Sequence, residues 1–221
     1  QRILNVAREW NYRPNVMARG LVKGRTYLIG VVLPYVSTSF YASVLSGIEE
    51  ECRARAFDLL LRSSGDTFEV QRGAVTRLLD RGIDGVVCYP DPRGFEFYQG
   101  VVDSGVPIVQ VGRAIPGVTA SSVTLDNERG TSLAVAHLIQ LGHRRIGYIG
   151  GSSGTPLMTG RRDGYRKTLV KHGISLDFDV YEAFGVPLEA GFQAASELLR
   201  RAPDMTAIAC CSDRAAIGAA E

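Results

Sequence analysis

The sequence predicts an α/β protein in which parallel β-sheets are covered by helices on both faces. Two observations support this prediction. Short runs rich in Val and Ile alternate with longer amphipathic stretches along most of the chain, and the short runs do not alternate in polarity. Continuous apolar strands are typical of sheets buried on both sides, and the intervening helices supply the crossovers that parallel pairing requires.

The elements can be assigned in order from these patterns. We predict strands at the apolar runs Tyr27–Leu33, Phe57–Leu61, Gly85–Tyr89, Pro107–Val111, Val123–Leu125, Arg145–Ile149, Val180–Phe184 and Ala207–Cys211. We predict helices at the amphipathic stretches Phe40–Ala54, Glu69–Asp80, Phe95–Asp103, Asn127–Leu141, Gly160–His172, Leu188–Arg200 and Asp213–Glu221.

The alternation of strands and helices is interrupted at Arg113–Ser122, because this stretch contains Pro116 and Gly117 and has no helical pattern. We therefore predict two sheets, with one subdomain at residues 26–122 and a second at residues 123–221. Ligands of such sheets bind beyond the carboxyl ends of the strands, so two facing sheets would share one cleft.

Composition narrows the class of protein. With 221 residues, 45% of them hydrophobic and 22% charged, the chain has the composition of a soluble globular protein. No apolar run is long enough for a membrane span and the first residues lack a signal pattern, so we expect a cytoplasmic protein without a membrane partner. The four cysteines and three histidines do not cluster, and we expect reduced thiols, no metal and no cofactor.

Positive charge is concentrated in residues 1–25. This segment holds one acid, Glu9, and six basic residues: Arg2, Arg8, Arg13, Arg19, Lys23 and Arg25. The whole chain has a net charge of only +2, so the remainder is net negative. Such asymmetry indicates a polyanion partner, although a solvated basic linker is an equally good interpretation of charge alone.

A short helix is predicted within this segment. Pro14 suits a first helical turn, and Asn15 can cap it. The helix would run from Asn15 to Leu21 and be marginal by itself. Leu21 is then an apolar side chain among basic ones, which is suited to wedging between base pairs from the minor groove; packing of Leu21 on the next domain is the alternative.

Catalytic patterns are weak. The glycine-rich motif Gly147-x-x-Gly-Gly-Ser-Ser-Gly154 lies at the end of a predicted strand, but its spacing is not that of a dinucleotide-binding loop. No nucleophile, base and acid form a recognisable set, so we do not expect an enzyme.

The order of several short motifs resembles the lactose/galactose repressor family of bacterial transcription regulators. The matching motifs cover nearly the whole chain: Tyr12-Arg-Pro-Asn15, Ala18-Arg19-x-Leu21, Ile29-Gly-Val-Val-Leu-Pro34, Ser46-Gly-Ile-Glu49, Asp84-Gly-Val86, Val106-Pro107, Asp126-Asn127, His137-Leu138, Leu141-Gly-His-Arg144, Ile146, Gly164-Tyr165 and Asp213. No single motif is decisive, but their order and spacing are specific together.

The resemblance implies a core like that of a type I periplasmic binding protein, with two Rossmann-like parallel-sheet subdomains. Residues 1–12 would be the end of a helix-turn-helix headpiece, and residues 13–25 the hinge helix and linker. The hinge residues implied to contact DNA are Asn15, Ala18, Arg19 and Leu21. The family's reading helices and the last part of its core would be missing, so the chain resembles a fragment at both ends.

The resemblance also implies the effector-binding residues. By position they are Phe40, Tyr41, Arg113, Arg161, Ser212 and Asp213. Ser212 replaces the family's usual Asn, and Gly112 stands where many members have an Asp. Loss of that acid beside Arg113 favours a ligand with a carboxylate or phosphate over a neutral sugar. Simpler interpretations also exist: Asp213 as a helix cap, Arg161 as a solvated residue, and Phe40 and Tyr41 as a hydrophobic staple.

The function implied is that of a ligand-responsive transcription regulator. Its partners would be operator DNA, a small effector such as a carbohydrate, and a second copy of the chain in a homodimer or a tetramer. Effector binding would control operator binding allosterically. The alternatives are a solute receptor of the periplasmic sugar-binding type and a nucleotide or sugar-phosphate enzyme.

Overall fold

The computed structural model of the chain describes residues 9–10, 24–65, 67–151, 156–176, 179–182 and 188–221. The predicted headpiece and hinge lie almost entirely outside these ranges. The hinge residues Asn15, Ala18, Arg19 and Leu21 are therefore outside the described residues. The chain divides into two compact units, Gln1–Thr124 and Leu125–Glu221.

The first unit contains a five-stranded parallel sheet in the order β2-β1-β3-β4-β5. Its strands are β1 Leu28–Leu33, β2 Asp58–Ser63, β3 Gly85–Cys88, β4 Ile108–Gly112 and β5 Ser121–Thr124. Its helices are α1 Ser39–Ala54, α2 Phe68–Leu79 and α3 Phe95–Asp103, with a 3₁₀ turn at Pro92–Gly94. The chain reverses its direction of sheet growth between β1 and β3, which makes their carboxyl ends the topological switch point.

The second unit contains a three-stranded parallel sheet in the order β7-β6-β8. Its strands are β6 Ile146–Gly151, β7 Asp179–Glu182 and β8 Ala207–Cys210. Its helices are α4 Asn127–Gln140, α5 Pro156–Lys171, α6 Leu188–Arg201 and α7 Asp213–Ala220. The switch point of this sheet lies between β6 and β8. Two separate parallel sheets confirm the predicted fold class.

Two predicted elements differ from those observed. Strand β5 pairs with β4 through the register Val109–Ser121 and so belongs to the first sheet, although we predicted residues 123–125 to begin the second. All four of its residues are exposed, so its apolar pattern carried no information about which sheet it would join. Helix α5 starts at Pro156 and not at Gly160, which agrees with the preference of Pro for a first helical turn.

Each unit has its own hydrophobic core. In the first unit, side chains of the central strands pack against α2 and α3, and the buried residues include Val32, Val75, Leu78, Val86, Tyr98 and Ile108. In the second unit, Tyr148 and Tyr165 stack with ring centroids 4.9 Å apart in the middle of the buried cluster. The continuous apolar strands of the sequence are thus the covered strands of each sheet.

The entry of the chain into β1 is held by Asp84. Its carboxylate accepts hydrogen bonds from the backbone N–H and hydroxyl of Thr26, both at 2.9 Å, and from the backbone N–H of Tyr27, also at 2.9 Å. Burial by itself would raise the pKa of Asp84, but these bonds and the charge of Arg25 lower it below its usual value. The start of the first sheet therefore depends on an ionised carboxylate.

Candidate functional site

Aromatic side chains lie at the carboxyl-end edge of the first sheet. Phe40 and Tyr41 open helix α1 directly after the loop that follows β1, and their ring centroids are 5.1 Å apart in an edge-to-face arrangement. Phe40 is 43% exposed, so its ring is not buried in the core at the start of the helix. An aromatic pair at a switch point, with Phe40 exposed and Tyr41 half-buried, offers an apolar surface to a ligand.

A third aromatic residue, Tyr89, extends this pair. It follows β3, and its ring centroid is 5.6 Å from that of Tyr41, again edge to face. We did not predict Tyr89 as a site residue, because it ended an apolar run and was assigned to the strand. The available signal was an aromatic residue at a strand end, directly before the loop that begins with Pro90.

Arg113 lies against Tyr89. Its Cζ is 4.5 Å from the centroid of the Tyr89 ring, within cation–π range, and its Nε donates a 2.7 Å hydrogen bond to the carbonyl of Pro90. The nearby carboxylate of Asp91 is already held by Arg93 through bonds of 2.8 and 2.9 Å. Hydrogen bonding from Arg93 lowers the pKa of Asp91 despite the opposing effect of burial. Within the described ranges, Arg113 forms no ion pair with a carboxylate.

Gly112 explains how Arg113 and Tyr89 come together. Its φ of +73° is in the left-handed region, which favours glycine, and a Cβ at this position would lie 2.9 Å from Cε2 of Tyr89. The position implied to carry an Asp in many family members is therefore occupied here by the Tyr89 ring. An acidic side chain could not be introduced without displacing that ring.

Two buried glutamines hold the loops that present these residues. Gln71, 3% exposed, donates from Nε2 to the carbonyl of Tyr89 at 2.6 Å and accepts from the backbone N–H of Asp91 at 2.6 Å and from the hydroxyl of Tyr98. Gln110, 1% exposed, accepts a 2.8 Å bond from the backbone N–H of Ile115. Buried amides that are hydrogen-bonded to loop backbone in this way rigidify the backbone around them.

Arg161 lies at the carboxyl-end edge of the second sheet. Its Nε donates to Oδ1 of Asn127 at 2.9 Å, and its Nη1 donates to the carbonyl of Cys211 directly after β8. Arg161 thus joins α5, the start of α4 and the end of β8. No hydrogen bond from its Nη2 is found within the described ranges, nor an ion pair. Asn127, which we did not predict as a site residue, was visible in the sequence only as part of an Asp-Asn motif.

Close packing of α4 and α5 makes the Arg161–Asn127 bond possible. Gly164 lies against the backbone of α4, where a Cβ would overlap the carbonyl oxygen of Glu128 and lie 3.1 Å from Cβ of Thr131. A larger residue at either helix face would separate the helices and lengthen the bond from Arg161.

Ser212 and Asp213 begin helix α7 after β8. The Ser212 hydroxyl accepts a bond of 3.3 Å from the backbone N–H of Ala215 and so caps the helix. Asp213 is exposed in the first turn of the helix. Both therefore lie on the strand end that Arg161 also contacts, through the carbonyl of Cys211.

The glycines after Arg145 have packing roles. A Cβ at Gly147 would meet Sδ of Met205 at 2.5 Å, and one at Gly150 would meet the ring of Tyr148 at the same distance. These contacts explain both glycines without a bound dinucleotide. The loop of residues 152–155 lies outside the described ranges.

The described part of the chain contains neither a cluster of metal ligands nor a membrane-spanning helix. Within this part, no group of three or more His, Cys, Asp or Glu side chains could hold a metal ion, and none of its helices is both long and apolar enough to cross a membrane. Cys52, Cys88, Cys210 and Cys211 are free thiols, and burial raises the pKa of each.

Comparisons with known proteins agree with this architecture. The regulator GalR of Escherichia coli K12 is 30% identical over 95% of this chain and 61% of its own length. Catabolite control protein A of Priestia megaterium is 26% identical over 99% of this chain and 66% of its own length. The chain thus spans slightly less than two thirds of these relatives.

A solved structure is similar as well. The sugar-binding transcriptional regulator of the LacI family from Escherichia coli, complexed with phosphate, superimposes with a TM-score of 0.74 and 25% identity over 89% of this chain and 72% of that one. GalR and this solved structure are both named as transcriptional regulators. The family model for periplasmic binding proteins and the sugar-binding domain of the LacI family matches residues 26–221, and the chain therefore belongs to that family.

Proposed function

We propose that this chain is the effector-binding part of a cytoplasmic transcription regulator, which binds operator DNA as a homodimer and whose DNA affinity is set by a small carbohydrate-like molecule. The observation that supports this most strongly is the concentration of ligand-type side chains at the carboxyl-end edge of each sheet. The edge of the first sheet carries Phe40, Tyr41, Tyr89 and Arg113, and that of the second carries Arg161.

Guanidinium and aromatic groups suit a carbohydrate for separate reasons. Aromatic faces pack against the apolar C–H surfaces of a sugar ring, and guanidinium groups donate in fixed directions to its oxygens. Arg161 is oriented by two hydrogen bonds before a ligand arrives, which lowers the entropy lost on binding. A sugar or sugar derivative is also the ligand class named by the family model.

The DNA-binding part of the proposal rests on the basic segment of residues 1–25 and on the regulator relatives. Asn15, Ala18, Arg19 and Leu21 are proposed to contact the minor groove, with Leu21 as the wedge. Two-fold symmetry of a homodimer would match a pseudo-palindromic operator.

Control of DNA binding requires that the effector favour one of two conformations. The shift in DNA affinity then equals the effector's difference in affinity between them, commonly about 1–3 kcal/mol, or about 5- to 150-fold. Either induction or corepression satisfies this relation, and the sign is decided by which conformation the effector prefers.

The proposal is tested with the intact protein that contains this chain. Genomic DNA fragments selected by the protein would be used to measure affinity at several salt concentrations, with and without sugars that raise its melting temperature. We expect a steep loss of affinity with salt and a change of at least about 5-fold on addition of such a sugar. A ligand that binds without changing DNA affinity would overturn the allosteric part.

The wedge role of Leu21 has its own test. Leu21→Ala should weaken binding to the selected DNA much more than binding to random DNA, because only the specific complex uses the opened base step. Equal losses on both DNAs would contradict the role assigned to Leu21.

A further inference from the structure

We infer that the effector of this chain carries an anionic group, a carboxylate or a phosphate, and that Arg113 is the residue that selects it. This inference rests on the proposed function and narrows its ligand class to acidic sugar derivatives. It depends on three features of the first unit: the orientation of the guanidinium, the lack of a hydrogen-bonded carboxylate partner for it within the described residues, and the absence of a side chain at Gly112.

The orientation of Arg113 is set from several directions. Its Nε bonds to the carbonyl of Pro90 at 2.7 Å, and its planar group lies over the Tyr89 ring at 4.5 Å. The loop that carries it is tied down by the Gln110 bond to Ile115. With Nε engaged, the remaining fork of Nη1 and Nη2 is the part that can pair with the two oxygens of a carboxylate or phosphate.

The charge of Arg113 is not balanced by an ion pair within the described ranges. Asp91 is close enough for its charge to interact with that of Arg113, but both of its oxygens accept hydrogen bonds from Arg93. Arg113 is half-buried, and a partly desolvated guanidinium is most stable when an anion is hydrogen-bonded to it directly. An anionic ligand would bond directly to the Nη1 and Nη2 atoms of Arg113, whereas a neutral sugar would leave the guanidinium without a bonded anion.

Gly112 removes the group that would oppose an anion. Because its φ is +73° and the Tyr89 ring occupies the space of a Cβ, this position cannot carry an acid without rearrangement. Position 112 therefore contributes no acidic side chain that would repel an acidic ligand. The Tyr89 ring that fills this space also contacts Arg113. The same ring therefore both excludes an acidic side chain at position 112 and positions a cation.

Gln71 is a positioning residue in this account. It holds the backbone of Tyr89 and Asp91, and thereby the carbonyl of Pro90 between them, without reaching the exposed edge. Replacing it should reduce ligand affinity through displacement of Arg113, and should not alter the preference for acids over neutral sugars among the ligands that still bind.

The test uses matched pairs of probes on the full chain. Melting temperatures would be measured with D-gluconate and D-glucose, with glucose 6-phosphate and D-glucose, and with ribose 5-phosphate and D-ribose, with inorganic phosphate alongside. We expect the acidic member of at least one pair to raise the melting temperature while its neutral partner does not. The pairs also distinguish a carboxylate from a phosphate.

Two substitutions of Arg113 provide the second arm. Arg113→Gln should weaken binding of the acidic probe by about 10- to 100-fold, the range for loss of a charge-assisted hydrogen bond. Arg113→Lys should recover part of that loss, because it keeps the charge without the fork. Arg53→Gln is the control, since the side chain of Arg53 is 73% exposed and, among the described residues, its ion pair is with Glu49 on the same helix; it should leave binding unchanged.

The outcomes that overturn the inference differ from the outcome that contradicts the proposed function. Equal shifts by neutral and acidic members, no shift by any acidic probe, or undiminished binding of the acid to Arg113→Gln would each overturn the inference. Failure of the proposed function is a different result: a bound probe of either class that leaves the DNA affinity of the intact protein unchanged.

Discussion

Replacement of Gly164 by Ala is predicted to destabilise the second unit and to disturb Arg161. Gly164 lies on the face of α5 that contacts α4. An added Cβ would overlap the carbonyl oxygen of Glu128 and would lie 3.1 Å from both the carbonyl carbon of Glu128 and Cβ of Thr131. A backbone carbonyl of a helix cannot rotate away, so the two helices must separate by roughly 1 Å to restore van der Waals distances.

The magnitude follows from two opposing effects. Ala is favoured over Gly within a helix by about 1 kcal/mol, whereas overpacking of a close contact costs about 1–3 kcal/mol and occasionally more. Because the overlap involves backbone, we expect the upper part of that range and a net loss of about 1–2 kcal/mol. For a unit of this size, each kcal/mol corresponds to about 4–8 °C in melting temperature.

The assay is differential scanning calorimetry of the full chain, with Gly130→Ala as the matched control. Gly130 belongs to α4, and a Cβ there would meet no atom within 4 Å, so the same substitution should be neutral or stabilising by up to about 1 kcal/mol. Separation of the helices should also lengthen the 2.9 Å bond from Arg161 to Asn127 and reduce the stabilisation by bound ligand. A Gly164→Ala variant as stable as the parent would refute the account of this helix contact.

Three further predictions concern the Asp84 carboxylate, the Ser212 helix cap and the buried cysteine thiols. Asp84→Asn should lower the free energy of unfolding at neutral pH, as urea unfolding at a series of pH values would show. Because the pKa of Asp84 is lowered in the folded state, its stabilising contribution is complete above its unfolded-state pKa and is lost as pH falls through the folded-state value. The variant should therefore lose less stability than the parent between neutral and acidic pH. Ser212→Ala should cost about 0.5–2 kcal/mol in urea unfolding by removing the cap of α7, whereas Ser212→Asn should retain most of it; equal losses would contradict the capping role. Burial raises the pKa of Cys88 to about 12 and that of Cys210 to about 11, so both should resist iodoacetamide near neutral pH until urea exposes them, as mass spectrometry would show.

The order and type of the core elements could be predicted because they depend on local patterns. Apolar runs of strand length and amphipathic stretches of helix length recur with short connections, and this rhythm already specifies parallel sheets. The assignment of β5 was less accessible. Its residues are exposed, and only the pairing of Ser121 with Val109 determines that it belongs to the first sheet.

The candidate site was predicted in part. Phe40, Arg113 and Arg161 were identified from a resemblance, and the structure gives each a defined set of neighbours. Tyr89 and Gln71 were not identified, since an aromatic residue at a strand end and a glutamine in an amphipathic helix are unremarkable in sequence. Their roles depend on partners that are distant along the chain.

By itself, the sequence determined the α/β class, the presence of two sheets, the basic first segment and the family. These follow from periodicity, composition and motif order, which are properties of neighbouring residues. Only the tertiary structure decided that the Tyr89 ring fills the space at Gly112, that Asp91 is hydrogen-bonded to Arg93, and that Arg113 forms no ion pair within the described ranges. Such pairing of charges and volumes is set by strands that meet in space after folding, and no local pattern encodes it.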